Sequence, residues 1–163
     1  MSRLDSYIRR MQAQKLCLDH AARAIGARPG PVLELGFGNG RTYDHLRELF
    51  PGRPIYVFDR QINPHPDCIP PAELVRLGDF RETLPRFLRE APEPAILIHA
   101  DIGTGDKIAS LRLARDLSAA LSRLLAPGGW LASDQPMSDD ALEALPLPEG
   151  VQADRYHLYR RVE

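Results

Sequence analysis

The residues with the clearest chemical promise form one run, Val32-Leu33-Glu34-Leu35-Gly36-Phe37-Gly38-Asn39-Gly40, in which a short apolar segment is cut off by three glycines. Glycine has no Cβ to hold a ligand away from the backbone, and a helix beginning near Arg41 would present free N–H groups beside the turn. Together these make a seat of nucleotide size. A Gly-x-Gly-x-x-Gly dinucleotide motif counted from Gly36 would place its third glycine at position 41, where this chain has Arg41; the third glycine is Gly40, which argues against NAD. Glu34 adds a negative charge that would repel a pyrophosphate and suits a ligand carrying an ammonium and a sulfonium group. Three aspartates then follow apolar runs: Asp59 after Ile55-Tyr56-Val57-Phe58, Asp79 after the segment ending at Leu77-Gly78, and Asp101 after Ala95 to Ala100. A carboxylate in the position of Asp59 can accept both hydroxyl hydrogens of a ribose.

Convergence of these groups depends on the elements that carry them. Leu4, Ile8, Met11, Leu18, Ala22 and Ile25 recur at helical spacing up to Gly26, so residues 3 to 26 read as one amphipathic helix or two short ones. Val32 to Leu35, Ile55 to Phe58, Leu74 to Leu77, Ala95 to Ala100 and Trp130 to Ser133 read as strands, mostly apolar as in a parallel sheet covered on both faces. Helices are predicted from near Arg41 to Phe50, around Leu84, Phe87 and Leu88, and from Ile108 to Leu124 with Asp106 as cap and Pro127-Gly128-Gly129 as stop. Pro64, Pro66, Pro70 and Pro71 forbid a regular crossover helix between Asp59 and Leu74. Ser138 with Asp139 and Asp140 predicts a short helix, followed by a hairpin ending in Tyr156-His157-Leu158-Tyr159-Arg160. Right-handed crossovers place all the strand ends along one edge of such a sheet, so the aspartates should share a crevice.

On these residues the chain resembles the class I S-adenosylmethionine-dependent methyltransferases. The pattern is Glu34-Leu-Gly36-Phe-Gly38-Asn-Gly40, Asp59, Gly78-Asp79-Phe80, Asp101 and Leu125-Ala-Pro127-Gly128-Gly129-Trp130, spread over roughly residues 30 to 134. It is similar, more narrowly, to short bacterial methyltransferases that begin with an amphipathic helix and end in a Tyr-x-Leu-Tyr-Arg strand. The resemblance implies an α/β, Rossmann-like methyltransferase fold: a mostly parallel seven-stranded sheet with helices on both faces and a C-terminal antiparallel hairpin. One domain is expected over 1–163, with a helical segment at 1–28 and the α/β core at 29–163. The cofactor implied is S-adenosyl-L-methionine. Its methionine end would lie on Gly36, Phe37, Gly38, Asn39 and Gly40, with Glu34 and Thr42 alongside. Asp59 and Arg60 would serve the ribose, Gly78, Asp79 and Phe80 the adenine, and Asp101 with Ile102 the amino acid and methyl group. Taken singly, each aspartate also fits a turn cap, because Asp bonds readily to nearby backbone amides.

Catalytic candidates near that edge are Asp101, His65 on the proline-rich segment and Tyr7 on the first helix, any of which could deprotonate or orient an acceptor. His99 lies in an apolar strand and reads as a hydrogen-bonded core residue, while His20, His45 and His157 have no ligand spacing. Asp101 with Asp134-Gln135 resembles the magnesium constellation of catechol-type O-methyltransferases, with Gln135 in place of asparagine; no metal is assigned. The segment after Asp101 reads Ile102-Gly103-Thr104-Gly105-Asp106, without the Pro-Pro-Tyr run of amino-methylating DNA enzymes.

Lys and Arg total 21 against 22 Asp and Glu, a net charge of -1 that gives no field to recruit nucleic acid. Cys17 and Cys68 are isolated thiols, and neither a signal peptide nor an apolar run of bilayer length is present, so a cytoplasmic protein with no membrane partner is expected. The favoured partner is a small-molecule substrate, with self-association through the first helix left open. Two rivals stand beside the methyltransferase: a non-catalytic S-adenosylmethionine- or S-adenosylhomocysteine-binding module acting through a partner, and a nicotinamide-dependent oxidoreductase. A magnesium-dependent O-methyltransferase is a variant of the main reading.

Overall fold

A computed structural model describes residues 1–162. The chain runs α1 (Arg3–Ile25), β1 (Val32–Leu35), α2 (Arg41–Leu49), β2 (Ile55–Asp59), β3 (Val75–Leu77), α3 (Phe80–Glu90), β4 (Ala95–Ala100), α4 (Lys107–Leu124), β5 (Leu125–Ser133), β6 (Leu142–Ala144) and β7 (His157–Arg161). The strands form one seven-stranded sheet in the order β3-β2-β1-β4-β5-β7-β6. Strands β1 to β5 pair in parallel, and β7 is inserted antiparallel between β5 and β6. The mostly parallel α/β architecture and antiparallel C-terminal pair therefore match the sequence expectation.

Side-chain alternation assigns the helices to faces. Val32, Val57, Leu97, Ala132 and Leu158 pack with Cys17, Leu18, Ala21, Tyr43 and Leu46, so α1 and α2 cover one face. Leu33, Leu35, Phe58, Ile98, Ala100 and Leu131 pack with Leu84, Phe87, Ala114, Leu117 and Leu121, which puts α3 and α4 on the other. Both faces of the central strands are thus dry, the condition that selects apolar parallel strands.

Three elements depart from expectation. The buried stripe of α1 is Ala13, Gln14, Cys17, Leu18, Ala21 and Ile25, while Leu4 and Ile8 are exposed; the helix is unbroken, capped at Ser2 and stopped at Gly26. Residues 125–129 do not form a separate stop after α4: they already belong to β5, which pairs Ala95 with Leu125 and resumes register at Leu97 and Trp130 after an irregularity. The helix expected after Ser138 is instead a turn leading to β6, because Leu142 to Ala144 find carbonyl and amide partners on β7 and that edge outweighs the local capping signal. The proline-rich stretch forms only two 3-10 turns, Pro66–Cys68 and Ala72–Leu74, as the prolines require. Among the described residues no helix is long and apolar enough to cross a membrane.

The glycine turn works through two different constraints. Gly36 has φ 83°, and a Cβ there would collide with the carbonyl oxygen of Asp101, so the ends of β1 and β4 abut only because residue 36 has no side chain. Gly38 has φ 58°, and beyond its own chain neighbours no protein atom lies within 4 Å of where a Cβ would stand. Gly36→Ala should lower folding stability by about 2 to 4 kcal/mol, read from urea unfolding midpoints, since strain and overpacking add. A midpoint equal to that of the unaltered protein would contradict this close approach.

Candidate functional site

The ends of β1, β2, β3 and β4 meet around a cavity of about 410 Å3. Its wall includes Gly36, Gly38, Asp59, Arg60, Asp79, Phe80, Asp101 and Ile102, all expected from the sequence, continues through Gly103 and Thr104 of the loop after Asp101, and adds Arg10, Arg81 and Leu113, which were not expected. A smaller hollow of about 190 Å3 adjoins it, sharing Arg10, Gly36, Gly38 and Asp101 and adding Gln14, Phe37, Asn39, Arg41 and Thr42. The two form one crevice along the carboxyl edge of the sheet, where the fold leaves backbone groups and loops free for a ligand. A larger hollow of about 600 Å3, lined by Arg28, Pro127, Trp130 and Arg160, has no carboxylate among the described residues of its wall.

Each aspartate is held by its own set of bonds. Asp59 Oδ2 accepts the Phe37 amide at 2.9 Å and the Gly38 amide at 3.3 Å, while Oδ1 accepts the Arg60 amide at 2.7 Å. It therefore holds the glycine turn onto the end of β2. Asp79 caps α3 by accepting the Arg81 amide at 2.9 Å, and its other oxygen meets Arg60 Nη2 at 3.2 Å. Those bonds, the backbone amide first, hold its carboxyl below the usual carboxylate range despite some opposing desolvation. Phe80 opens α3, so its N–H lies outside the reach of any helical carbonyl. Asp101 Oδ2 accepts Gln14 Nε2 at 2.9 Å, with Arg10 Nη2 at 3.6 Å.

Asp134, at the end of β5, accepts the Ile102 and Gly103 amides at 3.0 and 2.9 Å and Gln135 Nε2 at 3.3 Å. Burial and the neighbouring Asp101 push its pKa up, against the pull of those hydrogen bonds. The magnesium-like constellation is thus occupied with pinning the loop after β4. Among the described residues there is no group of three or more His, Cys, Asp or Glu side chains able to hold a metal ion.

Several sequence expectations sit elsewhere. Glu34 has no solvent exposure and lines neither part of the crevice. Its Oε1 accepts the Thr42 hydroxyl at 2.5 Å and its Oε2 meets His99 Nδ1 at 2.8 Å, while His99 Nε2 bonds the Tyr156 hydroxyl. This corrects the picture of Glu34 as a charge facing the ligand: it lies on the inner side of β1, beside His99 in the register of β4. Gly40 caps α2, where a Cβ would crowd the Phe37 ring and Cys68; Gly78 donates its amide to the Asp59 carbonyl; neither lines the crevice. Tyr7 is exposed, with the Arg41 guanidinium 5.9 Å from its ring centre, and His65 caps a 3-10 turn while its amide bonds the Asn39 carbonyl. Neither belongs to the crevice lining. The proline-rich segment braces the glycine turn from behind, through the Asn63 amide on the Gly38 carbonyl, and forms no part of the crevice wall.

Arg10 and Gln14 are the principal residues that sequence reasoning missed. Four positions apart on α1, they share a helical face. The available signal was a glutamine interrupting the buried stripe between Ala13 and Cys17.

Residues 1–161 match the model of a family described as S-adenosyl-L-methionine methyltransferase. The chain is 46% identical to an S-adenosyl-L-methionine methyl transferase from Silicibacter pomeroyi DSS-3, with a TM-score of 0.93 and 99% of each chain covered. Cofactor-bound Rv0187 from MTB is 20% identical, TM-score 0.56, over 98% of this chain and 89% of its own. The N-methyltransferase NodS from Bradyrhizobium japonicum WM9 is 16% identical, TM-score 0.53, over 99% of both; these last two likenesses concern the fold. No curated protein matches the chain with significance.

The buried His99 has a pH signature. Burial alone would lower its pKa, but the charge and hydrogen bond of Glu34, with Asp101 and Asp134, raise it above the ordinary 6.5. A raised pKa in the folded state gives stability that is full below 6.5 and lost as pH rises through the folded value. In Glu34→Gln the raising charge is gone and burial dominates. The stability difference between unaltered protein and Glu34→Gln, from urea unfolding at several pH values, should therefore shift against the unaltered protein as pH rises above 6.5. A difference independent of pH would contradict a charged pair.

Proposed function

The chain belongs to the S-adenosyl-L-methionine methyltransferase family, and from that membership we propose that it methylates a small molecule, with the cofactor seated along the Gly36–Asp59–Asp79–Asp101 crevice. The observation that carries this reading is the convergence of three strand-end carboxylates on one cavity of about 410 Å3 beside a glycine turn. A volume of that order suits a nucleoside-sized ligand.

The residues fit the cofactor in kind. Gly38 leaves open space where any other residue would project a side chain. Asp59 accepts three amides against about four lone-pair directions, so it keeps capacity for a ribose hydroxyl. Its longest bond, 3.3 Å to the Gly38 amide, is the one that a second hydroxyl would displace. Asp79 and the free Phe80 N–H supply an acceptor and a donor for the adenine edge, and Asp101 supplies an anionic partner for an ammonium group.

When bound, S-adenosyl-L-methionine supplies an electrophilic methyl group on a sulfonium. The protein's own part is chiefly to hold an acceptor in line. Asp101 is the one member of the trio Asp101, His65 and Tyr7 that lines the crevice, and Gln14 fixes one of its oxygens. Its carboxylate can orient the acceptor or take up a proton that the acceptor loses. The loop from Ile102 to Thr104, pinned by Asp134, closes the cavity on that side.

A near-neutral net charge supplies no overall attraction for nucleic acid, in keeping with a small acceptor. Incubation with S-adenosyl-L-methionine labelled in its methyl group and a cell extract should move label into the low-molecular-mass fraction. Label confined to protein or nucleic acid would overturn the small-molecule reading. Asp59→Ala should weaken binding of S-adenosyl-L-homocysteine by about 1 to 3 kcal/mol, roughly 5- to 150-fold, by calorimetry, with the circular dichroism of the fold retained. Equal affinity would contradict the ribose role.

A further inference from the structure

Beside the cofactor crevice lies another cavity of about 320 Å3, which shares Arg10 and Gly103 with it. Besides Arg10 of α1, four parts of the chain wall it. Gly103 and Gly105 come from the loop after β4, Lys107 and Ser110 from the first turn of α4, Asp134 and Gln135 from the end of β5, and Asp154 and Arg155 from the segment before β7. Because the shared residues flank Asp101, a molecule seated here would stand next to the group we assign to the acceptor.

The formal charges on this wall are mixed, but their commitments differ. Asp134 spends both oxygens on the Ile102 and Gly103 amides and on Gln135. Asp106 caps α4 by accepting the Ala109 amide at 3.0 Å. Asp154 is exposed at a left-handed turn position, φ 68°. The cations keep more of their capacity. Arg155 donates one Nη1 bond to Ser6 Oγ at 3.1 Å, leaving most of a five-donor guanidinium. Arg10 has Asp101 only at 3.6 Å, longer than a hydrogen bond. Lys107 is exposed at the first position of α4, where the helix dipole disfavours a cation, and the first turn contains no acidic residue. Lysine is otherwise confined to Lys15 in this arginine-rich chain. Three cations with donors to spare, around a pocket whose acids mostly serve the backbone, describe a receptor for an anion.

We propose that this cavity seats the methyl acceptor, and that the acceptor is a small molecule bearing an anionic group held by Arg155, Lys107 and Arg10. The proposal rests on the methyl-transfer reading above and narrows its substrate class. A carboxylate and a phosphate present the same chemistry to these donors, so the test uses both. Protein labelled with 15N and saturated with S-adenosyl-L-homocysteine is titrated with succinate, with inorganic phosphate and with the neutral analogue succinamide, following the backbone amides of Gly103 and Gly105.

Saturable shifts are expected with at least one anion and none with succinamide; succinate alone assigns a carboxylate, phosphate alone a phosphate. Lys107→Met and Arg155→Gln should each raise the apparent Kd of that anion about fivefold or more, while affinity for S-adenosyl-L-homocysteine stays within about twofold. Lys107 is exposed, so its replacement leaves the fold intact even if Arg155→Gln does not. Arg155→Lys should recover part of the loss. No shift with either anion, equal shifts with succinamide, or both variants titrating like the unaltered protein would overturn the proposal. Label entering a neutral or cationic small product would overturn it too while leaving the methyl-transfer reading intact, whereas label entering only macromolecules would overturn that reading itself.

Discussion

A carboxylate with no access to solvent stands at the centre of the sheet, and much of the site is arranged around its need for partners. Glu34 cannot be left unpaired in a dry interior without a large penalty. It is met by His99 from the adjacent strand and by Thr42 from the helix that follows the glycine turn. Tyr156 completes the coordination of His99 from the segment before β7. One buried charge therefore ties β1, β4, α2 and the C-terminal strand pair together directly beneath the glycine turn. Removing one partner would strand the other in a dry interior, which is strongly destabilising.

Above that layer the carboxylates hold turns and loops in place. Asp59 serves as a backbone clamp on the Phe37 and Gly38 amides, Asp79 as a helix cap, and Asp134 as the clasp of the loop after Asp101. The choice between turn chemistry and ligand chemistry is thus not exclusive. A carboxylate has more lone pairs than a single turn consumes. Asp101 is the exception: its bond is to Gln14, a side chain on another element.

The sheet, the glycine turn and the aspartate-terminated strands were legible in the sequence because each rests on local signals: apolar runs, glycines and the residue that ends each run. Glu34 was misread because its place beside the glycines suggested a ligand partner. The alternation of a strand sends it to the opposite side from Leu33 and Leu35, and a lone histidine in the apolar β4 run was the clue to its partner. Ser138-Asp139-Asp140 misled in the other direction, since a good capping sequence gave way to the unpaired edge of β7. Gln14 left one local trace, a polar side chain within the buried stripe of α1, whereas Arg10 and Arg155 left none, because they reach the strand ends only through tertiary docking.

The family and the fold agree on the cofactor, and the central structural claim is where it sits. A crystal structure with S-adenosyl-L-homocysteine tests that claim most directly. The account predicts ribose hydroxyls within hydrogen-bond distance of the Asp59 carboxylate, adenine beside Asp79 and Phe80, and the amino acid end on the glycine turn near Asp101. Cofactor density in the hollow lined by Arg28 and Trp130, or a ribose turned away from Asp59, would contradict it.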